Sequence, residues 1–102
     1  MDYSLVYAAE VFDDLQQNVN WYNEKQAGLG ARFFKAVKER ISQIAKNPYS
    51  IVIRYENIRC AKVTGFLFMI HFIINQEINI IKIIAVFNTY RDPEIWKKRI
   101  KK

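Results

Sequence analysis

The stretch Ile80–Arg99, IIKIIAVFNTYRDPEIWKKR, decides how this chain is read. Its first part belongs to an almost wholly apolar run from Ile78 to Phe87, interrupted by Asn79 and Lys82. A run that is apolar on both faces is what a central, covered strand requires. The run ends at Asn88-Thr89-Tyr90-Arg91, and a helix start follows. Asp92 is a good N-cap, Pro93 suits the first helical position, and Glu94 suits the positive end of the helix dipole. Trp96 and Ile100 lie four apart and can dock on the body, while Lys97, Lys98 and Lys101 face water. The chain is therefore organised around one buried strand that runs out into a capped basic helix.

Working outward, Phe66 to Ile74 alternates: Phe66, Phe68, Ile70, Phe72 and Ile74 fall on one face, Leu67, Met69, His71 and Ile73 on the other. Asn75-Gln76-Glu77 supplies the turn to the central strand, and Ile58–Val63 reads as a further strand, with Gly65 at a turn or bulge. The intervals leave no room for crossover helices, so these three strands are expected to form an antiparallel meander.

The first half has a different period. Tyr3 to Tyr7 is a short aromatic and β-branched strand. Ala8-Ala9 then opens a helix whose stripe is Phe12, Leu15, Val19 and Tyr22, and Gln26-Ala27-Gly28-Leu29-Gly30 is the break. A second helix over 31–46 carries Phe33, Phe34, Val37, Ile41 and Ile44, and stops at Asn47-Pro48. The short connection predicts an antiparallel helical hairpin. The expected fold class is α+β, with an N-terminal strand and a helical hairpin packed on one face of an antiparallel sheet. The sheet ends in the three-strand meander, and a short basic helix closes the chain.

Size and composition agree with one domain over residues 1–102. The chain is 51% hydrophobic and 25% charged, with 3 Gly and 2 Pro, so it reads as globular, without a glycine-rich phosphate loop. A single cysteine, Cys60, excludes an internal disulfide, and together with the single His71 it makes no zinc site. No cofactor and no metal are expected. The acidic N-terminus does not resemble a secretion signal, and no apolar run approaches membrane-spanning length; a cytoplasmic location is expected. The net charge of +6 lies wholly in residues 51–102, while residues 1–24 carry five acids and no base. A basic second half suits an acidic or nucleic-acid partner, or simply a solvated surface.

The layout, the Trp21-Tyr22 and Gly28-x-Gly30 features of the hairpin, the Asn47-Pro48 stop, the segment Phe66–Phe72, and Ala85-Val86-Phe87-Asn88-Thr89-Tyr90-Arg91-Asp92-Pro93 together resemble the RelE/ParE toxin family of bacterial type II toxin–antitoxin systems. The likeness covers nearly the whole chain, and the ending resembles the ParE-like, plasmid-stabilisation branch. The resemblance implies a toxin that inhibits DNA gyrase and is neutralised by a cognate antitoxin. Its alternative implications are a RelE-like, ribosome-dependent mRNA endoribonuclease, or a diverged member that only binds its antitoxin. A homodimer or a toxin–antitoxin heterotetramer are the assemblies considered. Many similar ParE-like chains have proline where this one has Leu67, histidine where it has Asn88, and a small residue where it has Tyr90. An amide at 88 does not transfer protons as an imidazole would.

Candidate residues divide accordingly. For RNA cleavage, Arg59, Lys62 and Arg91 supply positive charge for a scissile phosphate, and His71 or Tyr90 supplies a proton. For target or antitoxin binding, Arg59, Arg91, Trp96, Lys97, Lys98 and Arg99 offer guanidinium forks, an aromatic and a basic cluster. Each also has a plain structural role: His71 as a buried, hydrogen-bonded histidine, Arg91 as a partner of Asp92 or Glu94, the lysines as a solvated helix face. Cys60 reads as an inert thiol within a strand.

Overall fold

Five strands and two long helices account for residues 3–88, which are those the computed structural model describes. In chain order they are β1 (Ser4–Tyr7), α1 (Ala9–Lys25), α2 (Leu29–Lys46), a 3-10 turn (Pro48–Ser50), β2 (Ile53–Tyr55), β3 (Ile58–Lys62), β4 (Phe68–Asn75) and β5 (Ile80–Asn88). The sheet order is β1-β5-β4-β3-β2, so β5 and β4 are interior strands, as the apolar run from Ile80 requires. The C-terminal helix expected from Asp92 onward lies outside the described residues.

The meander is present: β3 pairs antiparallel with β4, and β4 with β5. One pairing departs from a wholly antiparallel sheet. Strand β1 runs parallel to β5, from Ser4↔Ile80 to Tyr7↔Ile83. This is possible because the chain leaves β1 through the whole helical hairpin, a connection long enough to cross the sheet and re-enter at the opposite edge. That edge is β2, three residues joined to β3 by a tight turn with Glu56 at φ 50°.

A bulge sets the facing of β5. The register against β4 slips between His71↔Ala85 and Phe72↔Ile83, which leaves Ile84 as the extra residue. Ile81 and Ile83 therefore join the helix-facing core before the slip, and Val86 joins it after. Ala85 and Phe87 turn to the other face. The core between hairpin and sheet is built from Val11, Phe33, Val37, Ile41 and Ile44 against Phe68, Ile70, Phe72, Ile81, Ile83 and Val86.

The helix stripes sit slightly rotated from those read off the spacing. On α1 the buried residue is Val11, with Leu15, Val19 and Tyr22 packed beside it, while Phe12 is exposed. On α2 Phe33 is fully buried and Phe34 is exposed. The helix break is Gly28, at φ +84°, a left-handed conformation that suits glycine. Gly30 is not part of the break. It lies in the first turn of α2, where a Cβ would sit 2.4 Å from the Val19 carbonyl oxygen and 2.7 Å from Asn23 Nδ2. The two helices approach closely at that point because Gly30 has no side chain. Asn23 Oδ1 accepts the Gly30 N–H at 2.9 Å and so satisfies a first-turn donor that α2 itself cannot.

Candidate functional site

Two neighbouring strands bring the chemistry-bearing residues to the sheet face opposite the hairpin. Cys60 of β3 lies across from His71 of β4, and Lys62 across from Met69, so Cys60, Lys62, Met69 and His71 share that face. Ala85 and Phe87 of β5 and Tyr55 of β2 complete the surroundings. His71 is fully buried. Its Nδ1 lies 2.9 Å from the Tyr55 hydroxyl and 3.4 Å from Cys60 Sγ. The rings of Tyr55 and Phe87 stand edge-on to the imidazole at 5.9 and 5.4 Å.

Burial raises the Cys60 thiol to about 11, against a lesser lowering by Arg54. Burial is also the main cause that raises the Tyr55 hydroxyl, with Cys60 and Glu56 adding to it. Both groups therefore keep their protons at neutral pH. A protonated hydroxyl can donate or accept, so the direction of the Tyr55–His71 Nδ1 bond is set by the tautomer of the ring. The cluster is a protonated, hydrogen-bonded interior. It is not a thiolate–imidazolium pair, because nothing next to the sulfur stabilises its anion strongly enough to overcome burial.

Arg59 sits on the other face. It pairs with Phe72, and its guanidinium turns to the 3-10 turn, donating to the Ile51 carbonyl oxygen and lying 5.1 Å from the Tyr49 ring centre. Arg59 and Lys62, read from the sequence as one charged group, are thus on opposite faces of β3. Lys62 remains exposed, and its carbonyl accepts from Arg40 Nε of α2 at 2.9 Å. Tyr90, Arg91, Trp96, Lys97, Lys98 and Arg99 lie outside the described residues. The described residues hold no cluster of His, Cys, Asp or Glu suited to a metal ion. Among them no helix is long and apolar enough to cross a membrane.

A polar contact that sequence reasoning missed joins the two layers. The Val86 N–H donates to Asp14 Oδ2 of α1 at 3.3 Å. Strand β1 ends its pairing at Ile83, where the Ala8 N–H donates to the Ile83 carbonyl, so β5 extends beyond its neighbour on that side. Asp14 takes up a backbone donor that the shorter strand leaves behind. An acid in the second turn of a helix otherwise reads as a solvated residue, and only the strand-length mismatch signals this role.

The class defined by this geometry is a two-layer α+β domain, with a helical hairpin on one face of a five-strand mixed sheet and a partly aromatic polar cluster on the other. Solved toxin structures share the two-layer fold. A chain of the chromosomal ParDE toxin–antitoxin system of P. aeruginosa superposes with a TM-score of 0.74 at 13% identity, covering 84% of this chain and 95% of that one. A double arginine-to-alanine variant of the E. coli toxin RelE, in the free state, gives 0.72 at 12% identity over 99% and 97% of the two chains. The RelBE2 toxin–antitoxin complex from Mycobacterium tuberculosis gives 0.65 at 18% identity over 86% and 99%. The fold is that of the RelE/ParE toxins. No protein-family model matches the sequence, and no curated protein matches it.

Proposed function

We propose that this chain is the toxin of a type II toxin–antitoxin pair, and that it acts by binding in the ParE manner, with DNA gyrase as target and a cognate antitoxin as inhibitor. The toxin role is supported by the likeness to ParDE and RelBE2 chains over most of the length. The observation that carries binding over chemistry is the state of the described candidate residues. His71 is enclosed and hydrogen-bonded to Tyr55, Cys60 is held protonated, and Arg59 is engaged by Ile51 and Tyr49. None of the three presents a free proton donor or phosphate clamp at the surface, and of the described candidates Lys62 alone is exposed. A net charge of +6 favours association with an acidic antitoxin segment.

The test has two arms on purified full-length protein. In the first, gyrase supercoiling is measured against a rising excess of the chain, and dose-dependent inhibition relieved by the antitoxin is expected. In the second, primer extension on translated mRNA is expected to show no new cuts. Cuts that disappear in Arg91→Ala would replace this reading with the RelE-type ribonuclease. Normal growth on induction, with gyrase fully active, would leave only antitoxin binding.

A further inference from the structure

The outer face of the helical hairpin is not an ordinary solvated surface. Phe12 is 62% exposed and Phe34 42% exposed, and with Leu15, Gln16 and Val19 they line an open groove of about 360 Å³ between α1 and α2. The charge on either side of this groove is segregated. The exposed polar positions along α1 are Asp13, Gln16, Gln17, Asn20, Asn23, Glu24 and Lys25, two acids and four amides with a base only in the last turn. The neighbouring positions on α2 include Lys35, Lys38 and Lys46, with Glu39 the only acid. Lys38 Nζ lies 5.4 Å from the Phe34 ring centre, so a cation borders the apolar strip itself.

A surface divided in this way is complementary to itself under one operation. A two-fold axis parallel to the helices and lying in the contact plane sets α1 of one copy against α2 of the other, antiparallel. The acidic half then meets the basic half on both sides, and Phe12 and Phe34 of the two copies meet in the middle. Helical rise places Asp13 near the level of the partner's Lys38. A partner of a single charge sign would match only half of the face. We infer that the outer face of the α1–α2 hairpin is a homodimerisation surface, through which a second copy of this chain docks as an antiparallel four-helix arrangement.

Its strength follows from its size. Helix α1 has 17 residues and is about 25 Å long, and two adjacent helices are about 20 Å wide, so the footprint is on the order of 500 Å² per copy. A total near 1,000 Å² is about the lower bound for a specific interface, which makes the dimer weak and concentration-dependent. The inference does not rest on the toxin reading.

Sedimentation equilibrium of the full chain between about 1 and 200 µM tests it, and the expected result is a monomer–dimer equilibrium with Kd of about 10–100 µM. Raising salt to about 0.5 M should weaken it several-fold, because the flanking pairs are exposed. Phe12→Asp and Phe34→Asp, each checked for native circular dichroism, should each raise Kd at least about tenfold. Asp13→Lys and Lys38→Glu should each weaken the dimer, and combining them should restore Kd to within about threefold of the unmodified chain. A monomer at the highest concentration would overturn the inference, including the case in which only an antitoxin covers the groove. So would a dimer indifferent to both phenylalanine variants, or a double charge exchange that restores nothing.

Discussion

Gly30→Ala tests how closely the two helices must approach. The added methyl would lie 2.4 Å from the Val19 carbonyl oxygen and 2.7–2.8 Å from the Asn23 amide. Asn23 can rotate away, but the carbonyl belongs to the backbone of α1 and cannot. Restoring ordinary contact at 3.4 Å requires the helices to part by roughly 1 Å. Overpacking of this kind costs about 1–3 kcal/mol. The same movement stretches the Asn23 Oδ1 bond to the Gly30 N–H, a further loss of about 1 kcal/mol. Against this, alanine is the better helix former by at most about 1 kcal/mol, and by less in a first turn. The balance is a destabilisation of about 2 kcal/mol, equivalent to a fall in Tm of about 8–16 °C for a domain of this size. Urea unfolding followed by tryptophan fluorescence measures it, and the midpoint should fall while the slope stays constant. Gly28→Ala is the control. It has φ +84° but no atom within 4 Å, so it should lose only the left-handed preference, about 1 kcal/mol. If Gly30→Ala were as stable as the unmodified chain, or cost no more than Gly28→Ala, the close approach would not be a structural requirement.

Other variants separate residues that the sequence makes look alike. Phe33→Ala should cost about 3–5 kcal/mol and Phe34→Ala less than about 1, read as urea midpoints, because only Phe33 is enclosed. Asp14→Ala should destabilise by about 1–3 kcal/mol by leaving the Val86 N–H without this acceptor, and Asp14→Asn, which keeps an oxygen, should recover most of the loss. Cys60 should react slowly with iodoacetamide at pH 7–8 and faster as pH approaches about 11, since its thiol is held protonated by burial. The folded pKa is raised, so the unfolded chain releases this proton first. The stability from Cys60 is full below about 9 and declines as pH rises through about 11. Tyr55 shifts in the same direction and adds to the decline.

Much of the fold is written in alternation and helical spacing, and the misplacements have physical causes. The series Phe12, Leu15, Val19, Tyr22 satisfies the spacing of an apolar stripe, but so does one rotated by a single residue onto Val11. Neighbouring stripes share most of their members, so the docking of the helix decides between them. On α2 the spacing admits both Phe33 and Phe34 to the stripe, and docking buries only Phe33. The bulge at Ile84 carries no glycine or proline to mark it; its trace is the change of parity from Ile81 and Ile83 to Val86. Gly30 resembles a helix breaker in composition, whereas its role is set by a helix seven to eleven residues earlier in the chain. The parallel β1–β5 pair has no local signal, because it depends on where the hairpin returns the chain. At the site, His71 was legible as a buried histidine from its apolar neighbours. The separation of Arg59 from Lys62 follows from their odd spacing along one strand, since residues three apart lie on opposite faces.

The comparisons give this division a functional meaning. Identities of 12–18% accompany TM-scores of 0.65–0.74, so the shared property is an arrangement of apolar positions rather than particular side chains. Cores tolerate exchange of one apolar residue for another when volume and pattern are kept, and so a fold of this kind persists through extensive substitution. Residues such as Phe72, Val37 and Gly30 meet that packing requirement whatever the protein binds. Target choice must then reside in residues the core does not constrain. Among the described residues, those that are exposed and costly to leave so include Phe12, Phe34 and Trp21 on the hairpin, Val52 and Ile53 at the β2 edge, and Leu67 and Ile78 just before β4 and β5. Trp21 stacks edge-on to Tyr22 and lies beneath Lys25 Nζ at 4.9 Å, so even this exposed ring is held in place. Ordered aromatic side chains lose less entropy on binding than flexible ones, which makes the hairpin face, more than the enclosed His71 cluster, the place to look for this chain's specificity.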